Sequence, residues 1–405
     1  MMNHTNILIV GAGQAAGQLL ITLKQNKFSG KITLIGDEEW YPYQRPPLSK
    51  LFLSGELEHS RLFIKQANFY NDLDITFRFN TRVKKIDTHN KIIDLNDIEL
   101  NYEQLILATG TRPRKLSIDG SNLKNIFYLR NISDAENIKS VIKNKKSIVI
   151  IGAGYIGLEV AATAVKSGLS VTVIEKQDRV MNRVVSKQVS GFFESEHKSH
   201  GVNFIFNDDI VSFSGGKKIN EVNLLSGKTI KTDAVLVGIG GIPNTEITDK
   251  TKIVSDNGIK VDNQCRTNVK DVYAIGDCTN HWNTLYNRYI RLESVQNAID
   301  QAKVVASNLT NIKTLYNEVP WFWSDQFDLK LQIAGISEGY DKTIIRTKEK
   351  QKSFSCLYLK DDVLIAVDSI NDPKDFIQSK KLIMNKVKLD LEKSKDVNAE
   401  LKDMS

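Results

Sequence analysis

Two stretches of the chain repeat a single pattern, and that repeat limits the fold more than any other feature. Residues 6–10, NILIV, form an apolar run of strand length, followed at once by GAGQAAGQLL, a helical stretch to about Lys24, and KITLIGDEE. Residues 147–151, SIVII, lead in the same way into GAGYIGLEVAATAVKSG and then LSVTVIEKQ. Each reads as strand, glycine turn, helix, strand. This is a βαβ unit of roughly 30 residues, and its strands are apolar throughout because helices cover both faces of a parallel sheet. Two dinucleotide-binding domains are expected. A chain of 405 residues, at roughly 100–200 residues per domain, leaves room for a third.

A pyrophosphate-binding turn needs a sharp bend, a backbone that approaches the phosphates closely, and a helix N-terminus whose free N–H groups face them. Gly152, Gly154 and Gly157 complete the GxGxxG spacing in the second unit. The first has Gly11 and Gly13 but Ala16 at the third place, followed by Gly17. A methyl group there only widens the helix–strand contact slightly. An acid about 20 residues further on should close the second strand and accept hydrogen bonds from an adenosine ribose. Asp37 or Glu38 fills that place in the first unit, and Glu175 fills it in the second. Glu175 would also repel a phosphate at the ribose 2′ position, favouring NADH over NADPH, while Lys176 and Arg179 are close enough in sequence to blunt the preference.

Further apolar strands end at LILATG (105–110), AVLVGIG (234–240) and VYAIGD (272–277). Each closes at a glycine, as where a chain leaves the carboxyl edge of an open sheet, and ligands bind at that edge. Beyond residue 320, WFWSDQFDLKLQIAG, TIIRTK, SFSCLYLK and VLIAVDSI read as short strands separated by turns. They suggest a third, mixed α/β domain ending in a lysine-rich amphipathic helix near residues 376–386. The tail after about Val387 alternates in charge, has few aromatics, and is expected to be solvated.

Composition excludes several classes. A content of 41% hydrophobic and 25% charged residues is ordinary for a globular protein, and no run approaches the roughly 18 apolar residues of a spanning helix. The opening MMNHTNILIV lacks a basic start, a helical apolar stretch and a small-residue cleavage site, so a cytoplasmic location without membrane contact is expected. Cys265, Cys278 and Cys356 are too few for a disulfide scaffold and lack metal-ligand spacing, so no metal site is expected. The net charge of +7, from 55 Lys+Arg against 48 Asp+Glu, is spread without a dense basic run. It permits acidic partners, gives little support to nucleic acid over a solvated surface, and fits an acidic protein partner equally well.

The two turns, with RPPLSK (45–50), LATGTRPR (107–114), YAIGD (273–277), ESVQNAIDQA (293–302) and PWFWSDQ (320–326), make the sequence resemble the FAD-dependent ferredoxin reductases of the putidaredoxin-reductase type. The resemblance runs from about residue 5 to 400. It implies an α/β fold with two Rossmann-like dinucleotide-binding domains, for FAD and NADH, of the glutathione-reductase type, plus a C-terminal mixed α/β domain. The implied boundaries are residues 1–112 and 242–320 for FAD, 113–241 for NADH, and 321–405 for the C-terminal domain. The implied activity is hydride transfer from NADH to FAD, then release of single electrons to a small acidic iron–sulfur protein. That partner would be a two-iron ferredoxin supplying a monooxygenase or dioxygenase, and the reductase would be a monomer or homodimer. Disulfide reductases of this fold carry a reactive cysteine pair soon after the first glycine turn. Here the first cysteine is Cys265, and thiol chemistry is set aside.

By the same resemblance FAD would be held by Gly11, Gly13, Ala15, Ala16, Asp37, Lys50, Val83, Arg130, Asp277 and Val295. NADH would be held by Gly152, Gly154, Ile156, Gly157, Glu159, Glu175 and Gly240. Lys50, Glu159 and Trp323 are the catalytic candidates. Asp277 has a separate physical basis, since a short carboxylate at a strand end suits a ribityl hydroxyl. Val295 would act through its backbone N–H at a helix start, where the dipole steadies an anionic reduced ring. Lys50 follows the stiff PPLS segment and would set a cation near flavin N5, paired with Glu159. Its plain alternative is a surface lysine. The plain alternative for Glu159 is an acid that merely stabilises the first turns of its helix. Its family role, which Glu293 would share, is at the nicotinamide end. Trp323 would lie beside the isoalloxazine, whereas Trp321 is expected in the core. His197 and His200 of SEHKSH are expected on an exposed helix. Two other readings stay open: reduction of rubredoxin or another small acceptor, and an NADH-responsive flavin-binding protein similar to apoptosis-inducing factors.

Overall fold

The structure is a computed structural model that describes residues 3–95, 98–348, 352–397 and 399–404. The chain divides into two units, each discontinuous in sequence. One comprises residues 1–44, 60–112 and 242–320, the other residues 45–59, 113–241 and 321–405.

In the first unit, strand Asn3–Val10 passes through its glycine turn into helix Gln14–Gln25 and returns as strand Ile32–Ile35, parallel to the first with Leu8 beside Thr33. Sheet order runs Ile75–Arg78, Ile32–Ile35, Asn3–Val10, Glu99–Leu107, and the strand Val272–Ala274 lies parallel against Glu99–Leu107. The first strand shows no polar alternation because both its faces are covered. Ile7 and Ile9 pack with Leu19, Leu20 and Leu23 of the glycine-turn helix and Ala302 of helix Val295–Leu309. Leu8 and Val10 pack with Leu105, Ile259 and Val261 on the other side.

The second unit repeats the scheme. Five parallel strands run in the order Val202–Phe206, Ser170–Glu175, Ser147–Ile151, Val235–Val237, Ile126–Phe127, and helix Tyr155–Lys166 leaves the second glycine turn. The same unit holds an antiparallel sheet ordered Trp321–Gln326, Leu329–Gly335, Val363–Ile370, Phe354–Lys360, Lys342–Thr347. Helix Pro373–Met384 packs on it.

That last helix begins and ends earlier than residues 376–386. Asp372 caps it by accepting from the Asp375 N–H at 3.2 Å, Pro373 takes the first helical place, and Lys386, with φ of 51°, stops it. The expectation of a solvated tail is overturned. Leu389, Leu401 and Met404 are buried. Arg346, itself fully buried, donates to the carbonyls of Ser394 at 2.8 Å, Asp396 at 3.0 Å and Ala399 at 2.8 Å, and pairs with Asp375 at 3.0 Å. A desolvated guanidinium persists only where its donors are met, and the irregular tail supplies the acceptors.

Two aromatic residues also differ from expectation. His197 is buried rather than exposed, because Val189, Phe193, Glu196 and His197 share the inward side of helix Lys187–Ser199. His200 is exposed. Trp321 is half-buried rather than in the core, since its strand is the edge of its sheet. Its ring lies 5.7 Å from that of Phe376, with the Lys380 ammonium over its face.

Candidate functional site

Each unit presents a glycine cradle, and the cradles are built alike. In the first, Gly11 sits at φ +111°, and a Cβ there would meet the Ala108 carbonyl oxygen at 2.1 Å. Only glycine lets the turn pass that close to the neighbouring strand. Gly13, two residues on, is different: a Cβ would meet nothing within 4 Å. It caps helix Gln14–Gln25 without a side-chain acceptor for the first-turn N–H groups. The buried Oε1 of Gln14 has no partner beside it. Packing that needs glycine at one position, and room at the next, fit a bound dinucleotide pyrophosphate.

Around this cradle, Ala15 and Ala16 are buried in the helix–sheet contact. Gly276 approaches Ala15, so the YAIGD turn and its half-buried Asp277 border the N-terminus of that helix. Of the two candidate acids, Glu38 accepts from the Tyr43 hydroxyl at 2.6 Å, while Asp37 is exposed two residues past strand Ile32–Ile35. The Val83 side chain belongs to the core, so its main chain is the part that can touch a ligand. Val295 is the first residue of helix Val295–Leu309, capped by Ser294. Glu293 is exposed and paired with Arg291.

In the second cradle, Gly152 at φ +98° would place a Cβ 2.4 Å from the Gly238 carbonyl oxygen, and Gly154 again opens on empty space. A Cβ at Gly157 would meet the Gly152 carbonyl oxygen at 2.2 Å. Ile156 is half-exposed on the first helical turn, and Gly240 is exposed at φ +102°. Glu175 closes its strand with both carboxylate oxygens engaged, accepting from the Ala153 N–H at 2.8 Å and the Gln177 N–H at 2.9 Å. The two nearby cations are occupied. Lys176 pairs with Asp209 at 2.8 Å, and Arg179 donates to the carbonyls of Val185 and Asn182.

The same unit brings Lys50 and Glu159 together from sequence-distant segments, with Trp323 on the strand whose Ser324 also reaches Glu159. Glu159 is buried, and its Oε2 accepts from the Lys50 ammonium at 2.8 Å and from the Ser49 hydroxyl at 2.5 Å. Its Oε1 accepts from the Ser324 hydroxyl at 2.7 Å. The Thr163 hydroxyl, one turn further along the helix, shares its proton between the Glu159 carbonyl at 3.0 Å and the Ser49 carbonyl of the RPPLSK segment at 3.1 Å. Glu159 is therefore not a solvated helix-dipole acid, and Lys50 is not a free surface lysine. Trp323, next to Ser324, is half-buried beside Trp321 with ring centroids 5.6 Å apart. Arg130 precedes the capped helix Ile132–Asn144, and its carbonyl accepts from Arg45 at 2.7 Å.

Sequence reasoning missed Ser49, Ser324, Gln326 and the inward-facing His197. The available signal was the period of two in WFWSDQ, which puts Ser324 and Gln326 on the face opposite Trp323. Cys265, Cys278 and Cys356 are buried and free. Burial pushes each thiol above its ordinary value, Cys356 to about 12.

Residues 5–302 match the family described as pyridine nucleotide-disulphide oxidoreductase, and residues 321–405 match the one described as reductase C-terminal. The chain is 40% identical to the rhodocoxin reductase of Rhodococcus erythropolis, over 98% of this chain and 93% of that protein. It is 39% identical to the rubredoxin-NAD(+) reductase of Pseudomonas putida, over 91% of this chain and 96% of that one. The crystal structure of the ferredoxin reductase for the CYP199A2 system of Rhodopseudomonas palustris superposes with a TM-score of 0.95 at 38% identity, covering 98% of this chain and 99% of that one.

Proposed function

Because the chain belongs to the pyridine nucleotide-disulphide oxidoreductase family, we propose that it is an NADH-dependent FAD flavoprotein that reduces a small two-iron ferredoxin serving an oxygenase. The observation that carries the reading is a pair of glycine cradles, one in each unit, each requiring glycine against a strand carbonyl and opening outward two residues later. The chemistry supplied by bound FAD would be acceptance of a hydride from NADH and release of electrons singly.

The residues of this chain supply binding and electrostatics. Gly11, Gly13 and the helix start at Gln14 hold the FAD pyrophosphate, and Asp37 receives the adenosine ribose. Asp277 and the Val295 N–H hold the other end of the cofactor. Gly152, Gly154 and the helix start at Tyr155 hold the NADH pyrophosphate, with Glu175 at the ribose. Arg179 is tied to the carbonyls of Val185 and Asn182 and Lys176 is paired with Asp209, so Glu175 is the charge placed to repel a 2′-phosphate. Glu159 orients the nicotinamide amide, and Lys50, held against it at 2.8 Å, supplies positive charge where electron density accumulates. Trp323 excludes water with its flat ring. The domain boundaries, the acidic character of the partner, a cytoplasmic location and a monomeric or homodimeric state belong to the same reading.

Rubredoxin is a second acceptor, favoured by the 39% identity to a rubredoxin-NAD(+) reductase. A reconstituted assay separates the two. Purified protein should be yellow, lose its flavin absorbance under anaerobic NADH faster than under NADPH, and then reduce cytochrome c only when a two-iron ferredoxin is added. Reduction of rubredoxin alone would move the assignment to the second acceptor. A colourless protein that refuses added FAD would overturn the reading.

A further inference from the structure

Glu159 is held from two directions. Lys50 and Ser49 meet one carboxylate oxygen, and both come from the RPPLSK segment. The donor to the other oxygen, Ser324, comes from the far C-terminal sheet. Behind Ser324 lies a run of buried polar groups that the function proposed above does not use.

A hydroxyl carries a single proton. Ser324 Oγ accepts from the Gln326 amide Nε2 at 3.1 Å, so its own proton goes to Glu159 Oε1 at 2.7 Å. The Gln326 Oε1 can only accept, and it lies 2.8 Å from His197 Nε2, which must therefore carry the imidazole proton. Burial pushes the His197 imidazole down to about 4, so the ring is neutral. The donor direction is thus fixed along the whole run, from His197 through Gln326 and Ser324 to Glu159. His197, Gln326, Ser324 and Glu159 are 0%, 1%, 0% and 4% exposed. Water has no access with which to replace a lost donor.

The geometry points to Ser324 as a positioning residue for Glu159, oriented by Gln326 and His197. The inference rests on the reading that Glu159 serves the nicotinamide end. The strand Trp321–Gln326 makes the arrangement possible. Its alternate residues Phe322, Ser324 and Gln326 share one face, and the Phe322 ring lies 4.6 Å from that of Tyr155 on the Glu159 helix. Two titratable groups bear on Glu159 itself. Lys50 pairs with it, and Tyr155, on its own helix, has a phenol held well above the ordinary value by burial and by the carboxylates of Asp368 and Glu159. Lys50 balances the charge but contacts only Oε2. Without Ser324, Oε1 would be a buried acceptor with no donor. The neutral acid would then be favoured, and the carboxyl would be free to rotate about its soft terminal torsion.

The test compares the flavin-loaded full chain in wild-type form with Ser324→Ala and Ser324→Thr. Carbon-13 NMR of side-chain-labelled glutamate, with Glu159→Gln assigning the resonance, reads the titration of the carboxyl directly. In Ser324→Ala the Glu159 midpoint should rise by about one pH unit, as expected when a donor to the charged form is lost. The acid limb of NADH-dependent flavin reduction should move up with it, leaving the rate about tenfold lower below that midpoint. Ser324→Thr, which keeps the hydroxyl, should restore both, and Gln326→Leu should shift the midpoint the same way by less. An unmoved midpoint in Ser324→Ala overturns the inference, and if that variant does not fold, an unmoved midpoint in Gln326→Leu does so. A wild-type protein that fails to take up FAD or to be reduced by NADH counts against the function proposed above. A normal wild type beside an unshifted variant counts against the positioning role alone.

Discussion

The two glycine cradles differ in one methyl group and in how tightly the acid at the strand end is held. In the second unit the third glycine, Gly157, leaves no room: a Cβ would sit 2.2 Å from a backbone oxygen. In the first unit the equivalent residue is Ala16, whose methyl is fully buried in the core without such a collision. Glu175 in the second unit is locked by two backbone N–H groups, whereas Asp37 in the first is exposed. The difference teaches that the motif is a set of separable steric demands. Close approach at the first glycine is common to both cradles, close helix–strand packing at the third is particular to the second, and the acid is preorganised only there. A cradle with a locked acid suits a ligand that comes and goes, because the ordering of the site is complete before binding.

The shared demand should give the largest effect. Gly11→Ala combines a left-handed φ with a backbone collision at 2.1 Å, and strain plus overpacking of about 5 kcal/mol is expected. The variant should emerge without flavin or unfold far below the wild type, as read by flavin absorbance and thermal unfolding. Retention of a full flavin complement would break the equivalence of the first glycines.

The second largest effect separates the units by pH. His281 in the first unit and His197 in the second are both pushed down to about 4 by burial. Each contributes stability that is present above an unfolded value near 6.5 and is lost as pH falls through 4. These contributions run in the same direction in both units. Asp368 has no counterpart among the described residues of the first unit. Burial pushes it up to about 7, the Tyr358 hydroxyl bond offsetting only part of the shift. Its contribution is whole below the ordinary carboxylate value of 3.8 and is lost as pH rises through 7, on the order of 4 kcal/mol. Hydrogen exchange between pH 5 and 8 should show the second unit losing protection relative to the first, and Asp368→Asn should abolish the difference. Equal slopes in the two units would refute it.

What could be read from the sequence follows from the range of the interaction involved. The glycine turns were legible because close approach and helix start are fixed within a few consecutive residues, and so were the parallel strands, whose apolar runs report burial on both faces. Lys50 and Glu159 were legible as a pair only through the family resemblance, since 109 positions of chain separate them. Ser324 was not legible, because a serine between Trp323 and Asp325 acquires its role from strand register against a distant helix. His197 and the tail failed for a common reason. SEHKSH and the residues after Val387 are rich in charge, and local polarity conceals a buried side chain when its partner, Gln326 in one case and Arg346 in the other, lies elsewhere.

Gly157→Ala tests the demand peculiar to the second cradle. A displacement near 1 Å at a positioning turn costs roughly 100-fold in catalysis, and the loss should appear in KM for NADH while FAD remains bound. Glu175→Ala should be milder, raising NADPH use relative to NADH by roughly tenfold, about 1.4 kcal/mol. An unchanged ratio would mean that the locked acid plays no part in selecting the cofactor.

The smallest effect is the most discriminating, because it reverses the substitution that separates the two motifs. Ala16→Gly gives the first cradle the complete glycine spacing of the second. If the third glycine served phosphate binding, the change would tighten FAD. The packing in the first unit says otherwise: Ala16 is 0% exposed and its methyl fills the helix–sheet contact. Its removal should cost about 1 kcal/mol through lost burial and greater helix flexibility, visible as a slightly lower unfolding temperature with FAD affinity unchanged. Tighter FAD binding in Ala16→Gly would make the third position a ligand contact in both units and erase the distinction drawn between them.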